Sequence, residues 1–247
     1  MERRHVPDSE QKLVILYALR QLGPVNGMQL LQFLVEKDLM NYIEMQLNLC
    51  EMQEQGQLRE AAHPSGTLLE ITEDGVYTLE AFDSRIPASR REQIDEDAAT
   101  WRALFRAEQQ ALAESFPLSD GGLCVRLRLL EDDSALADML ITLPDTQSVP
   151  LLSQRWRMGA QQVYSTLTSL LGSGYDDHAE AVLPPSANVQ RVNETEWLLS
   201  LTGCDAHMNA TLMLTLPNEN LARHYASNWS DHSGEVLAQV WDLLGDG

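Results

Sequence analysis

Apolar residues recur at helical spacing almost as soon as the chain begins. Between Ser9 and Leu22, the residues Leu13, Val14, Leu16, Tyr17, Leu19 and Leu22 share one stripe. Ser9 is placed to cap that helix, and Gly23-Pro24 to stop it. Asn26 opens a second helix that carries Met28, Leu30, Leu31, Phe33, Leu34 and Val35. A third runs from about Leu39 to Gln55, with Tyr42, Ile43, Met45, Leu47, Leu49, Cys50 and Met52 in its pattern. Gly56 stands where a helix C-terminal cap belongs. The period then changes: Leu58 to Ala62, His63-Pro64-Ser65-Gly66 and Thr67 to Ile71 read as strand, turn and strand. Thr72 with Glu73 and Asp74 opens a fourth helix through Phe82, acidic in its first turn as the helix dipole favours. This order predicts a winged helix-turn-helix over residues 1–86, whose third helix would enter a DNA major groove and whose hairpin would be the wing.

Residues 87–115 read as a connecting helix. From Arg90 to Glu114, the residues Ile94, Ala98, Trp101, Phe105, Glu108 and Leu112 step by 4, 3, 4, 3 and 4, a heptad seam with Glu108 as its polar member. Ile94, Trp101, Phe105 and Leu112 are therefore candidates for a dimerisation face. Packing on the chain's own body is the alternative. Residues 116–247 then contain an internal repeat. Ile141-Thr142-Leu143-Pro144 returns as Leu214-Thr215-Leu216-Pro217, Trp156 as Trp229, Val163 as Val236, and Leu170-Leu171-Gly172 as Leu243-Leu244-Gly245, all at an offset of 73. From 141 to 172 that gives 8 identities in 32 ungapped positions, where ordinary composition gives about two.

Strand-like runs precede each helical half: Leu123 to Leu130 with Asp138 to Leu143, and Glu196 to Thr202 with Ala210 to Leu216. A third strand is placed near Ala113 to Phe116 in the first copy and Ala179 to Leu183 in the second. The fold class is thus α+β, ending in two β-β-(β)-α copies at about 113–172 and 179–245. One copy has a single sheet face and a single helix. Two can pair about a pseudo-twofold axis into one sheet under two helices, with Trp156 and Trp229 anchoring the helices.

Composition changes the picture in one respect. Of 247 residues, 17 are Lys or Arg and 37 are Asp or Glu, a net charge of −20. Such a field repels nucleic acid and anionic membrane at long range, and excludes a generic basic coat. No apolar run approaches the ~20 residues that span a bilayer, and the opening MERRHVPDSEQK lacks the apolar core of a secretory signal. Cys50, Cys124 and Cys204 are odd in number and widely spaced, which suits a reducing cytoplasm. The sequons at Asn193, Asn209 and Asn228 are then chance matches.

The segments KLVILYALRQL, LVEKDLMNYIEMQLNLCEMQEQGQL, ITEDGVYTLEAFDSRIP and SRREQIDE resemble a bacterial family of unknown function, the DUF4364 proteins. The likeness covers roughly residues 9 to 110 and is weaker in the C-terminal strands and helices. It implies an N-terminal winged helix and a loose transcription-regulator label, with no ligand or catalytic residue. It also implies a single β-β-(β)-α unit per chain, so that here fusion would replace a dimer contact.

Whether the winged helix holds DNA turns on charge. The stretch Asp38 to Gln55 carries Asp38, Glu44, Glu51 and Glu54 and no Lys or Arg, and residues 1–90 have 8 cations against 14 anions. Phosphate neutralisation supplies most non-specific affinity, so this helix starts at a disadvantage. The candidate DNA-contacting residues are Asn41, Tyr42 and Gln46 near its N-terminal end, with Arg59 and His63 in the wing. Arg3, Arg4, Lys12 and Arg20 could form a further patch at the other end of the domain. The expected partner is double-stranded DNA, read by a regulator. The alternative is a basic protein docking on an acidic module that does not bind DNA.

No catalytic or cofactor signature is present. There is no P-loop, no G-x-G-x-x-G after a strand, no G-x-S-x-G elbow and no H-E-x-x-H. Cys204-Asp205-Ala206-His207 and Asp176-Asp177-His178 are compact runs of metal-capable groups, but neither has a second cluster at zinc spacing. The chain therefore reads as a non-enzyme without cofactor or metal.

Overall fold

A computed structural model describes residues 8–119, 122–132, 134–143, 148–176, 183–204 and 208–245. The chain divides into two compact units, Met1–Arg106 and Ala107–Gly247.

In the first unit, helices α1 (Asp8–Leu22), α2 (Gly27–Glu36) and α3 (Tyr42–Glu54) lead into an antiparallel hairpin of β1 (Leu58–His63) and β2 (Gly66–Ile71). Helix α4 (Glu73–Phe82) and a 3-10 turn (Asp83–Arg85) follow, and then α5 (Ala88–Asp95) and α6 (Ala98–Gln110). Local chemistry sets these borders. Asn26 and Asn41 each close a capping box, with Gln29 and Glu44 as reciprocal partners. Gly56, at φ +71°, ends α3 in a Schellman arrangement: its N–H donates to the Gln53 carbonyl, and that of Gln57 to Met52. Val25, between α1 and α2, pairs with Leu69 of β2 and adds a third piece to the hairpin sheet. The core gathers Ile15, Leu16, Leu30, Phe33, Met45, Met52 and Leu79.

The second unit is one six-stranded antiparallel sheet, in the order β3-β4-β5-β8-β7-β6. Its strands are β3 (Ala111–Pro117), β4 (Leu123–Glu131), β5 (Ser134–Leu143), β6 (Ala187–Arg191), β7 (Trp197–Cys204) and β8 (Asn209–Leu216). Helices α7 (Val149–Leu171) and α8 (Glu219–Leu244) supply its other layer. Inward residues alternate along each strand: Val125, Leu127 and Leu129 on β4, Met139 and Ile141 on β5, Leu212 and Leu214 on β8. Trp156 and Trp229 are wholly buried, and their indole N–H groups donate to the Arg128 and Thr202 carbonyls at 3.3 and 3.0 Å. The β-β-β-α order therefore occurs twice. In the seam between copies Met139 lies directly opposite Leu212. These two are 73 positions apart, the offset of the repeat, so the pseudo-twofold axis passes through this pair.

Two expectations are corrected. The connecting helix over 90–114 is not continuous: α5 stops at Asp95, whose carboxylate accepts from the Tyr17 hydroxyl and the Gln21 amide. Residues 111–117 are strand β3, hydrogen-bonded to β4, so Leu112 belongs to a sheet and shares no helix with Ile94. Ile94 and Phe105 are buried in the first unit's core. Trp101 packs between Phe33 and Phe105, with ring centroids 5.9 and 5.2 Å away. The seam's spacing reflects packing on the chain's own body. Among the described residues the second copy's outer strand is β6 at 187–191; of the expected 179–183, residues 179–182 lie outside the described residues. As an edge strand it has one neighbour to satisfy, and its ANVQR sequence carries little alternation to announce it.

Candidate functional site

Helix α3 is apolar on two sides. Met45, Leu49 and Met52 face the core together with Asn48, whose amide donates to Gln11 Oε1 at 2.8 Å and to the Glu44 carbonyl at 2.7 Å. Ile43, Leu47 and Cys50 keep the same i, i+4, i+7 spacing two residues out of step, hence about 200° around the helix. That stripe faces outward: Ile43 is 68% exposed, Leu47 63% and the neighbouring Tyr42 58%. Isolated apolar residues on a surface are ordinary, but three adjacent ones on a helix already anchored by its opposite face mark an interaction surface.

The surrounding charge is negative. α3 carries Glu44, Glu51 and Glu54 with no cation. The cations nearby are spoken for. Lys12 reaches from α1 to Glu51 with Nζ 2.6 Å from Oε2, which puts it against α3 and corrects its expected place in a patch at the far end of the domain. Arg59 pairs across the hairpin with Glu70 at 2.7 Å. Arg20 lies 5.0 Å over the Tyr17 ring, while Arg3 and Arg4 lie outside the described residues. Between α3 and the hairpin a groove of about 220 Å³ is lined by Gln46, Leu49, Cys50, Gln53, Glu60 and Leu69. Gln53 Nε2 donates to Glu60 Oε1 at 3.0 Å along it.

The candidate DNA-contacting residues thus separate. Asn41 is engaged as the α3 cap, its Oδ1 accepting the Glu44 N–H at 3.0 Å. Tyr42 and Gln46 are exposed on the outer face, and Gln46 borders the groove. His63 ends β1 and is held in the turn, where Nδ1 accepts the Ser65 N–H at 3.1 Å. The outward Ile43–Leu47 stripe went unread in the sequence because its members sit in the same apolar run as the core-facing ones.

Among the described residues no group of three or more His, Cys, Asp or Glu side chains is placed to hold a metal ion. The runs ending in His178 and His207 lie partly outside them, at 177–178 and 205–207. The family model for a domain of unknown function, DUF4364, matches residues 11–171. The chain belongs to that family. In this DUF4364 chain the match ends on the last residue of α7, so it spans the first β-β-β-α copy and leaves the second beyond it. No curated protein and no solved structure matches the DUF4364 chain. No helix among its described residues is long and apolar enough to cross a membrane.

Proposed function

We propose that the first unit of this DUF4364 chain is a winged helix-turn-helix that works by protein docking. Its partner is a basic, amphipathic protein segment laid along the outer face of α3. The observation that carries this reading is the exposed Tyr42–Ile43–Leu47 surface on a helix bearing three carboxylates and no cation. The element order, with Val25 paired to β2, supports the winged-helix layout. Apolar residues supply the buried contact and the acidic surround favours a cationic partner, which also explains why the helix is poorly suited to lie between rows of phosphates. The chain acts without catalysis, in the cytoplasm, as a regulator-like interaction protein.

A DNA-binding regulator is the second reading. It is favoured by Tyr42 and Gln46, two exposed hydrogen-bonding side chains on the helix turn that reads base edges in this layout.

One experiment separates the two. A designed Leu/Lys amphipathic helical peptide and its Leu/Glu twin are titrated onto the full chain, and pooled genomic fragments are tested for retention at low and near-physiological salt. Docking predicts that the Leu/Lys peptide shifts the Ile43 and Leu47 methyl resonances and the Leu/Glu twin does not. Ile43→Gln with Leu47→Gln should weaken binding at least about tenfold while stability stays within ~0.5 kcal/mol. Binding that ignores those two substitutions would sink the docking face. Discrete fragments held at the higher salt, and released by Gln46→Ala, would establish the DNA reading instead.

A further inference from the structure

A second cavity, of about 280 Å³, opens in the first unit between α1, α4 and the turn joining α3 to β1. Its α1 wall is built by Lys12, Leu13 and Leu16 at helical spacing, and its α4 wall ends in Phe82 and then Arg85. Leu13 and Leu16 belong to the buried core, so the floor is apolar and rigid. The rim is charged. The Arg85 guanidinium carbon lies 4.7 Å from the Phe82 ring centroid, which holds the cation against the cavity mouth. Lys12 lines the opposite wall, its ammonium held 2.6 Å from Glu51 of α3.

We infer that this cavity is a binding site for a small monocarboxylate with an apolar or aromatic body. The charge count points to that class. The lining holds two cations, Lys12 and Arg85, and no carboxylate; Lys12 is already paired with Glu51, which leaves the Arg85 guanidinium for a monoanion in a chain of net charge −20. A dianionic phosphate would leave an excess of negative charge in an already acidic protein. A planar carboxylate can take paired N–H donors from the guanidinium. The body of such a ligand covers Leu13, Leu16 and the Phe82 ring, in the manner of small-molecule sites that combine an apolar lining with a few placed polar groups. The site would make the chain responsive to a metabolite of this class. It does not rest on the docking reading, since it uses other walls of the unit.

The test uses the full chain and three probes: 3-phenylpropionate, its neutral amide, and phenyl phosphate. Leu13 and Leu16 methyl resonances report occupancy. The expected result is saturable shifts with 3-phenylpropionate, with binding at least about tenfold weaker for the amide and for phenyl phosphate. Arg85 is exposed, so Arg85→Met should leave the melting temperature unchanged while weakening 3-phenylpropionate about tenfold. No saturable shift with millimolar 3-phenylpropionate overturns the site. Equal binding of the amide, or an Arg85→Met variant that binds as the parent does, overturns its anion preference. Tighter phenyl phosphate binding reassigns the ligand class and refutes the inference as stated.

Discussion

Gly75 shows how closely single residues are constrained. It is the third residue of α4, and a Cβ built there would lie 2.2 Å from the Gln57 carbonyl oxygen. The crowding has a purpose. Thr72 caps α4 by accepting the Gly75 N–H, its hydroxyl donates to the Gly56 carbonyl, and its own N–H donates to Gln57. Four residues thereby lock the end of α3 to the start of α4. Gly75→Ala should cost about 2–3 kcal/mol, read as a shift in the urea midpoint. Gly27→Ala, where a Cβ meets nothing within 4 Å, should stay within ~0.5 kcal/mol. Three tyrosines set a pH limit. Burial raises the pKa of Tyr17, Tyr164 and Tyr225, and Asp95 beside Tyr17 adds to its rise. The unfolded chain therefore releases these protons first, near pH ~10. The stability they contribute is complete below that pH and is lost as pH climbs through their higher folded values. Melting temperature followed into the alkaline range should fall, and Tyr17→Phe should flatten part of that fall.

Among the elements, α3 and β3 mark what the pattern of the chain reveals and what it hides. The starts of α2 and α4 and the end of α3 were legible because Asn26 and Thr72 cap and Gly56 terminates by local chemistry, which neighbouring residues alone decide, whereas the pattern places the start of α3 at about Leu39, ahead of its cap Asn41. The hairpin was legible for the same reason, its register running from Leu58↔Ile71 to His63↔Gly66. The two faces of α3 were not, because periodicity reports that an apolar residue exists and not whether a neighbour covers it. β3 reads two ways in the sequence: a strand is expected near Ala113 to Phe116 and stands at Ala111–Pro117, but the connecting helix is also carried through these residues to Glu114. Gln110 and Ala111 pass from helix to strand with no Gly or Pro between them, and Ala and Glu favour helix. What makes 111–117 a strand is pairing with β4, a partner supplied by tertiary structure. A seam of 4 and 3 steps was satisfied by Ile94 and Phe105 in one core, and by Leu112 in a strand. Of the candidate site residues, Tyr42 and Gln46 sit on the outer face as their helix position implied, while Asn41 caps and Arg59 and His63 serve the hairpin.

For the molecule as a whole, the two buried clusters draw on separate stretches of chain, residues 13–105 and 111–244. Residues 107–247 alone should therefore give a cooperative melt and a β-rich circular dichroism spectrum. Residues 107–171 alone would leave the β5 edge and one face of α7 without their partners, and should sediment as a dimer that rebuilds the β5–β8 seam from two copies of β5. A monomeric, folded single copy would show that the axis is not needed for burial. The repeat was the most legible long-range feature, since a fixed offset of 73 survives in the sequence and in the register alike.

Joining the halves in one chain has a consequence for heredity as well as for burial. In a symmetric dimer every substitution is felt twice, and a residue on the axis must meet its own kind. Here the axial pair is Met139 against Leu212. The first half carries two cross-strand ion pairs, Arg126–Asp138 and Arg128–Glu114, at 2.5 and 3.2 Å. The corresponding positions in the second half, counted through the strand registers, are Ser200, Thr211, Thr202 and Asn188, all uncharged. Each half can thus change without imposing the change on the other, and the sheet has become a place where one half can specialise while its twin keeps the scaffold.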